Sequence, residues 1–308
     1  RAAGVEPTRP MTTTGYAVAC VVLNLVPAAA HFTLLRLQAT PSGAASEPAA
    51  LSVSRVLAHA FGTTWAFGGD GAAESPLAVT CGATPQLFFA TATGMAVALT
   101  LVGSVVGQRR TLGNFWVDVT RLALYVLLPL SALLSLLLVS EGVVQSLGGS
   151  VAVRLLEPFS DGALRVQQQV LGLGPVASHS AIGLLGSSGG SPLLTGFAHP
   201  FANPTPLTHL YESLALLLLP ASLCFTLGAL SGERRVGAGL FFASALAWLL
   251  LVWLTLRAEL GVASSLWGEQ GSQLGGRLAA AGNWSGKDVR FGLVGAVLWS
   301  VSAGSVSS

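Results

Sequence analysis

Residues 175–190 read PVASHSAIGLLGSSGG, and this stretch decides the fold. Its apolar run, Pro175 to Leu185, is far shorter than the ~20 residues a helix needs to cross ~30 Å of hydrocarbon. A proline opens it where a proline costs a helix least, and Gly186 closes it. In so apolar a chain this reads as a re-entrant half-helix, because broken backbone at membrane depth is tolerated only where it is buried or lines a wet cavity. Two more stretches have the same character: Leu51 to Phe61, preceded by Pro48 and ended by Gly62, and Phe291 to Val301.

Around these pieces lie five runs long and apolar enough to span: Gly15 to Leu37, Thr80 to Val106, Leu122 to Val139, Leu207 to Leu230 and Val236 to Leu256. Arg109, Arg110 and Arg121 flank one connection and Arg234 and Arg235 another, which puts those turns in the cytoplasm and the half-helices on the outer side. Of the 308 residues, 52% are hydrophobic and 9% charged, against about 25% charged in soluble domains. The composition therefore excludes a soluble enzyme and names the lipid bilayer as the solvent. A formal charge of +2 supplies no basic face, so no nucleic-acid partner is expected. Cys20, Cys81 and Cys224 lie in apolar runs without ligand spacing and read as small buried hydrophobes.

The order span, outer loop, half-helix, Gly/Ser turn, span recurs. It divides the chain into a first unit over residues 1–106, a second over 107–230 and a third over 231–308. The expected fold is an all-α polytopic membrane protein of repeated helix, half-helix, helix units. The charged outer segment from Glu141 to Gly174, with Arg154, Glu157, Asp161 and Arg165, reads as a folded surface cap, and Ser264 to Asn283 as a looser outer loop. The chain starts at Arg1 and stops beside an apolar run, so it reads as part of a longer sequence.

A half-helix whose C-terminus points inward presents unpaired carbonyls and the negative end of its dipole, which favours a cation. A Gly/Ser/Thr turn after it can align successive carbonyl oxygens so that they replace an ion's hydration shell. The candidate filter residues are Gly62, Thr63 and Thr64, then Ser187, Ser188, Gly189 and Gly190, then Ser307 and Ser308. The plainer alternative is that these are tight turns at helix ends. Dipoles and carbonyls argue for a cation without choosing potassium over sodium.

Several motifs add a resemblance. Gly113-Asn114-Phe115-Trp116-Val117-Asp118, Gly174-Pro175-Val176-Ala177-Ser178, His199-Pro200-Phe201 with Asn203-Pro204-Thr205, and Leu223-Cys224-Phe225 with Gly232-Glu233-Arg234-Arg235 resemble the KdpA family of potassium-translocating subunits of the bacterial Kdp ATPase. Gly286-Lys287 with Arg290-Phe291-Gly292 extends the likeness, which is collinear over almost the whole chain. Trk and Ktr transporters share the repeat, but the HPF-x-NPT stretch points to Kdp. The resemblance implies four repeats around a pore like that of potassium channels, with one filter strand from each and K+ held at the filter residues named above. It implies no cofactor, with potassium as the transported substrate. The implied partners are a P-type ATPase catalytic subunit and small accessory membrane subunits, and the implied location is the bacterial inner membrane. The chain departs from the family at its filters: Phe61-Gly62-Thr63-Thr64-Trp65 stands where the family has T-N-T-N-W, and Gly186-Ser187-Ser188-Gly189-Gly190-Ser191-Pro192-Leu193-Leu194 where it has G-T-N-G-G-G-F-F-N. If asparagines brace the strands, selectivity is loosened.

Single polar residues carry narrower expectations. His209 and Glu212, at i and i+3, share a helix face and suit a metal, or an outer-end contact with interfacial water. His31 and Asn24 read as polar interhelical contacts beside Pro27, and His59 and His179 as satisfied core histidines or pore-tuning ones. Asp70 and Glu74 read as a cation-gathering outer mouth or an ordinary solvated loop, and His199 with Asn203 as a loop brace. Trp116, Asp118 and Arg121 read as headgroup anchors. The sequence lacks G-x-x-x-x-G-K-[ST], D-K-T-G-T and H-E-x-x-H, so ATP chemistry belongs to a partner and the chain is a non-catalytic transport subunit. The competing readings are a degenerate pore-like relative with a structural role or loosened selectivity, and an intramembrane enzyme built on His209 and Glu212.

Overall fold

The computed structural model describes residues 10–38, 48–61, 74–106, 112–149, 151–161, 164–187, 193, 196–261 and 290–306. Among the described residues, five helices are long and apolar enough to cross a membrane: α1 (Thr13–Leu37), α3 (Pro76–Val105), α4 (Phe115–Ser140), α6 (Pro206–Leu230) and α7, whose span is Arg234–Leu260. Three shorter apolar helices stand among them, α2 (Ala49–Phe61), α5 (Val176–Leu185) and α8 (Gly292–Val306). The chain is an all-α polytopic protein in its membrane part. Most spans begin before the expected residue because a polar cap starts the helix ahead of its apolar face. Thr12 Oγ1 accepts from Gly15 N–H, Ser75 Oγ from Ala78 N–H, and Asn114 Oδ1 from Trp116 N–H. Thr205 and Thr208 bond each other reciprocally ahead of α6, with Pro206 in the first turn.

Prolines shape the spans in two ways. Pro85 in α3 follows a π-helical turn over Val79–Ala83, and Pro129 in α4 follows one over Ala123–Leu127. The wider turn absorbs the carbonyl that the proline ring would strike four residues back. Pro27 and Pro220 instead lie inside unbroken α-helix, in α1 and α6.

The expected surface cap contains the one departure from all-α among the described residues. Val151–Asp161 and Leu164–Leu171 pair as an antiparallel hairpin, Val151 opposite Leu171 and Arg154 opposite Gln168, with a register shift between Arg154 and Phe159. Ser264 to Asn283 lies outside the described residues.

The core gathers around α5, eight of whose ten residues are buried. Leu184 and Leu185 of α5 belong to one apolar cluster with Phe115, Leu127 and Leu138 of α4 and Leu216 of α6. α6 and α7 form an antiparallel pair that touches backbone to backbone, since a Cβ on Gly228 would lie 2.8 Å from Gly237 Cα. None of the most apolar window of α7 is buried within this chain, so its apolar surface is left open. The cysteines depart from the buried expectation: Cys20 and Cys224 are partly covered and Cys81 is exposed, because a membrane-spanning surface is apolar on its outside as well.

Candidate functional site

The C-termini of α2 and α5 meet at one cavity of about 550 Å³. Ala60 and Phe61 reach it from the first half-helix, and Leu185, Gly186 and Ser187 from the second. Both helices therefore direct the negative end of their dipoles, and last-turn carbonyls that have no partner within the helix, toward the same space. Asn24, Thr91, Thr93, Ser222 and Thr226 add oxygens to a mostly apolar wall. Asn24 is oriented by donating from Nδ2 to Cys20 O at 2.9 Å and to Thr93 Oγ1 at 3.0 Å, while its Oδ1 has no partner among the described residues. His31 and Asn24 thus make the interhelical contacts expected of them. The carbonyl ends of two half-helices, with a few oxygens in an otherwise apolar wall, suit a weakly hydrated cation.

Ser187 alone of the expected filter residues is described. Its φ of 57° makes it the only non-glycine residue in the left-handed region among those described. Such strain persists where the surroundings over-determine it, typically at ligand sites and switches. Its N–H donates to Leu184 O at 3.1 Å, turning the chain off the end of α5. Gly62, Thr63, Thr64, Ser188, Gly189, Gly190, Ser307 and Ser308 lie outside the described residues, as does Asp70. The third short helix, α8, runs five residues beyond the expected Val301 to Val306 and packs on α6 and α7.

Behind the cavity a buried polar cluster joins α1, α2, α3 and α5. His31 Nδ1 lies 2.6 Å from Gln86 Oε1, and Gln86 Nε2 donates to the Val56 carbonyl of α2 at 2.6 Å. His31 Nε2 faces Glu74 Oε2 at 3.4 Å, and Arg55 of α2 stands 3.7 Å from the other carboxylate oxygen. The His59 ring packs edge-on between His31 at 5.1 Å and His179 of α5 at 5.8 Å. His59 Nδ1 donates to Arg55 O, and His179 Nδ1 is 2.9 Å from Thr84 Oγ1, so both are satisfied histidines. Glu74 corrects the expectation of a solvated loop or outer mouth: only a tenth of its side chain is exposed, because it turns inward to His31 and Arg55. Burial alone would push its carboxyl up, but the hydrogen bond to His31 and the surrounding positive charge, Arg55 included, outweigh it and hold the pKa at about 2. Gln86 and Arg55 were not singled out by sequence reasoning. A lone glutamine inside an apolar span was the available signal.

The outer loops form a second brace. Asn203 Oδ1 accepts from Thr208 Oγ1, and Arg290 donates to Asn203 O and Ala198 O. His199 Nδ1 accepts from Phe201 N–H, so His199 and Asn203 are loop braces as expected. Burial, and then Arg290, hold the His199 pKa below its ordinary value. His209 and Glu212 do not form a metal site. His209 Nε2 donates to Gly295 O at 3.0 Å, its Nδ1 is 3.2 Å from Asn203 Nδ2, and its ring stacks on Phe291 at 4.4 Å. Both nitrogens are occupied in seating α8, and no cluster of three metal-binding side chains exists among the described residues. Glu212 is fully buried, and its carboxyl has no partner among the described residues. At the Arg-rich ends, Trp116 is exposed in the first turn of α4 with Asp118 and Arg121 close behind, as anchors would be.

Comparison with known proteins bears on this geometry. Similar chains include the potassium-transporting ATPase potassium-binding subunits of Sorangium cellulosum, 38% identical over 315 residues covering 100% of this chain and 54% of that protein, and of Methylococcus capsulatus, 36% identical over 334 residues covering 100% and 55%. The subunit of the same name from Bordetella avium is 36% identical over 327 residues, covering 98% of this chain and 54% of its own. The chain thus spans about half the length of the curated relatives it matches. The model of the family "KdpA: Potassium-transporting ATPase A subunit" matches residues 1–308, and the chain belongs to that family.

Proposed function

We propose that this chain is the potassium-selecting part of the membrane subunit of an ATP-driven potassium uptake complex in the bacterial inner membrane. Potassium, the substrate, enters from the outer side, sheds water against filter carbonyls at Gly62, Thr63, Thr64, Ser187, Ser188, Gly189, Gly190, Ser307 and Ser308, and passes toward a P-type ATPase subunit. That subunit hydrolyses ATP, small accessory membrane subunits complete the complex, and this chain is not itself catalytic. Three pore units over residues 1–106, 107–230 and 231–308 supply the filter strands. The observation that carries the reading is the convergence of the α2 and α5 C-termini on one cavity, with a strained Ser187 at its rim.

The filters favour a second reading beside this one. Asparagines present in the family's motifs are replaced by Gly62, Thr64 and Ser188 or their neighbours, which suits loosened selectivity or a structural relative that no longer conducts. The test is growth at limiting potassium of cells whose only uptake system is the full-length protein with its partner subunits. Growth, together with ATP hydrolysis stimulated by potassium, is the expected result. An assembled complex that supports neither overturns the transport reading in favour of the structural one.

A further inference from the structure

α3 packs on both half-helices that end at the cavity, α2 and α5, and two of its side chains hold them. Thr84 Oγ1 lies 2.9 Å from Nδ1 of His179 on α5. Two residues later, Gln86 Nε2 donates to the Val56 carbonyl of α2 at 2.6 Å. At 3.6 residues per turn, positions i and i+2 lie about 160° apart around a helix, so the two side chains leave α3 on nearly opposite sides. The short stretch Thr84-Pro85-Gln86 therefore holds one half-helix with each hand. The π-helical turn Val79–Ala83 comes immediately before it, and the one residue that such a turn adds rotates all that follows by about 100°. That rotation sets which sides Thr84 and Gln86 face. Gln86 is fully buried inside a span, where an amide is costly unless its atoms are used. Its oxygen faces His31 Nδ1 of α1 at 2.6 Å, which fixes the amide with its nitrogen toward Val56. Gly82 lets α1 come close enough for this contact, since a Cβ there would lie 2.8 Å from His31 Cδ2 and 3.1 Å from its Cα.

We propose that Thr84 and Gln86 form a two-sided strut that fixes the spacing of the first and second half-helices and thereby sets the discrimination of potassium from sodium. Both are positioning residues: neither lines the cavity, and each acts through the half-helix it holds. The half-helices also meet directly, His59 edge-on to His179 with 5.8 Å between ring centroids. Aromatic pairs tolerate centroid separations over roughly 2.5 Å, whereas hydrogen bonds tolerate about 0.5 Å, so the ties through α3 decide the spacing. The strut carries the position of a well-packed helix to a loosely packed one, because α5 buries eight of its ten residues and α2 two of its thirteen. Val56 lies five residues before Phe61, which reaches the cavity, so a shift of the Val56 carbonyl moves the carbonyl end of α2 with it. Two cations of equal charge are told apart by the number and placing of the oxygens they meet, which is what the strut holds constant.

The functional consequence rests on the potassium reading above. The experiment uses the full-length protein in its complex and measures equilibrium binding of potassium and of sodium, with thermal unfolding of the same samples. Thr84→Val keeps the shape and removes the hydroxyl, and Gln86→Met keeps the length and removes the amide. Each is expected to narrow the potassium-over-sodium ratio about tenfold, as loss of one buried hydrogen bond would. The double variant should narrow it little further, because either loss frees the same spacing. Thr84→Ser restores the hydroxyl and the ratio. Phe115→Leu, a fully buried change where α4 packs on Tyr16 of α1, lowers the unfolding temperature and leaves the ratio as it is. A wild-type ratio in Thr84→Val or in an assembled Gln86→Met complex overturns the proposal, as does an equal narrowing in Phe115→Leu. A second measurement needs no cation. Spin labels at Leu57→Cys on α2 and Ser178→Cys on α5, with Cys20, Cys81 and Cys224 replaced by alanine, read the spacing itself. A broader distance distribution in Thr84→Val is expected, and an unchanged one overturns the strut. A wild-type complex that binds no potassium overturns the transport reading instead, and the label distances then decide the strut by themselves.

Discussion

α2 and α5 end at the same cavity but are seated by different forces. α5 is packed: eight of its ten residues are buried, and Val176, Ala177, Ala181 and Leu184 are fully so. α2 is tied: only Ser52 and Val56 are buried among its thirteen residues, and its firm links are polar, Val56 O to Gln86 and Arg55 to Glu74. A packed element is non-directional and insensitive to protons, whereas a tied one depends on the charge state and geometry of a few groups. The second half-helix is therefore the fixed wall of the vestibule and the first its adjustable one.

The largest separation of the two comes from truncating one leucine in each. Leu184→Ala in α5 is expected to cost about 3 kcal/mol, because a fully buried side chain leaves a cavity in a packed core. Leu57→Ala in α2, at a position 49% exposed, should cost under about 1 kcal/mol. Thermal unfolding in detergent measures both, and equal losses would erase the distinction.

Charge acts the other way round. Glu74→Gln removes the carboxylate that faces both His31 and Arg55 and should destabilise the seat of α2 by about 2 to 3 kcal/mol, read as faster hydrogen exchange in α2 than in α5. The acid limb has a definite sign. The folded pKa of about 2 lies below the ordinary 4.5, so the stabilisation is fully present above pH 4.5 and is lost as the pH falls from there toward 2. Acid should release α2 first, and simultaneous loss of both half-helices would contradict the polar tie.

Smaller effects probe the rim and the brace. Ser187→Val forces a β-branched residue into the left-handed region and should cost about 1 to 2 kcal/mol, while Ser187→Gly relieves strain and stabilises by up to about 1 kcal/mol. Glu212→Gln removes an unpartnered buried carboxyl and should be neutral or stabilising by about 1 kcal/mol, with potassium affinity unchanged if the residue is only tolerated there.

Much of this was legible in the residues. Hydropathy located every span, and the Pro175 and Gly186 punctuation located α5 to within a residue. The hairpin was missed although Asp161-Gly162, a favoured turn pair, stands between two β-compatible runs, because charge in an outer segment says little about how it folds. Glu74 was misread for a different reason. Its partners come from α1 and α2, and no local pattern reveals that a carboxylate in a loop-like setting turns inward to a histidine and an arginine brought there by tertiary packing. Gly82 shows the same limit, since its need for glycine comes from α1 pressing against it.

Whether the converging half-helices make a cation site is answered by equilibrium binding of potassium to the full-length protein in its complex, with sodium as competitor and Ser187→Pro as the comparison. Proline fixes φ near −65° and so forbids the turn at the rim of the cavity. Saturable potassium binding, resisted by sodium and lost in Ser187→Pro, is the predicted result. Absence of potassium binding, or binding that survives Ser187→Pro unchanged, would contradict it.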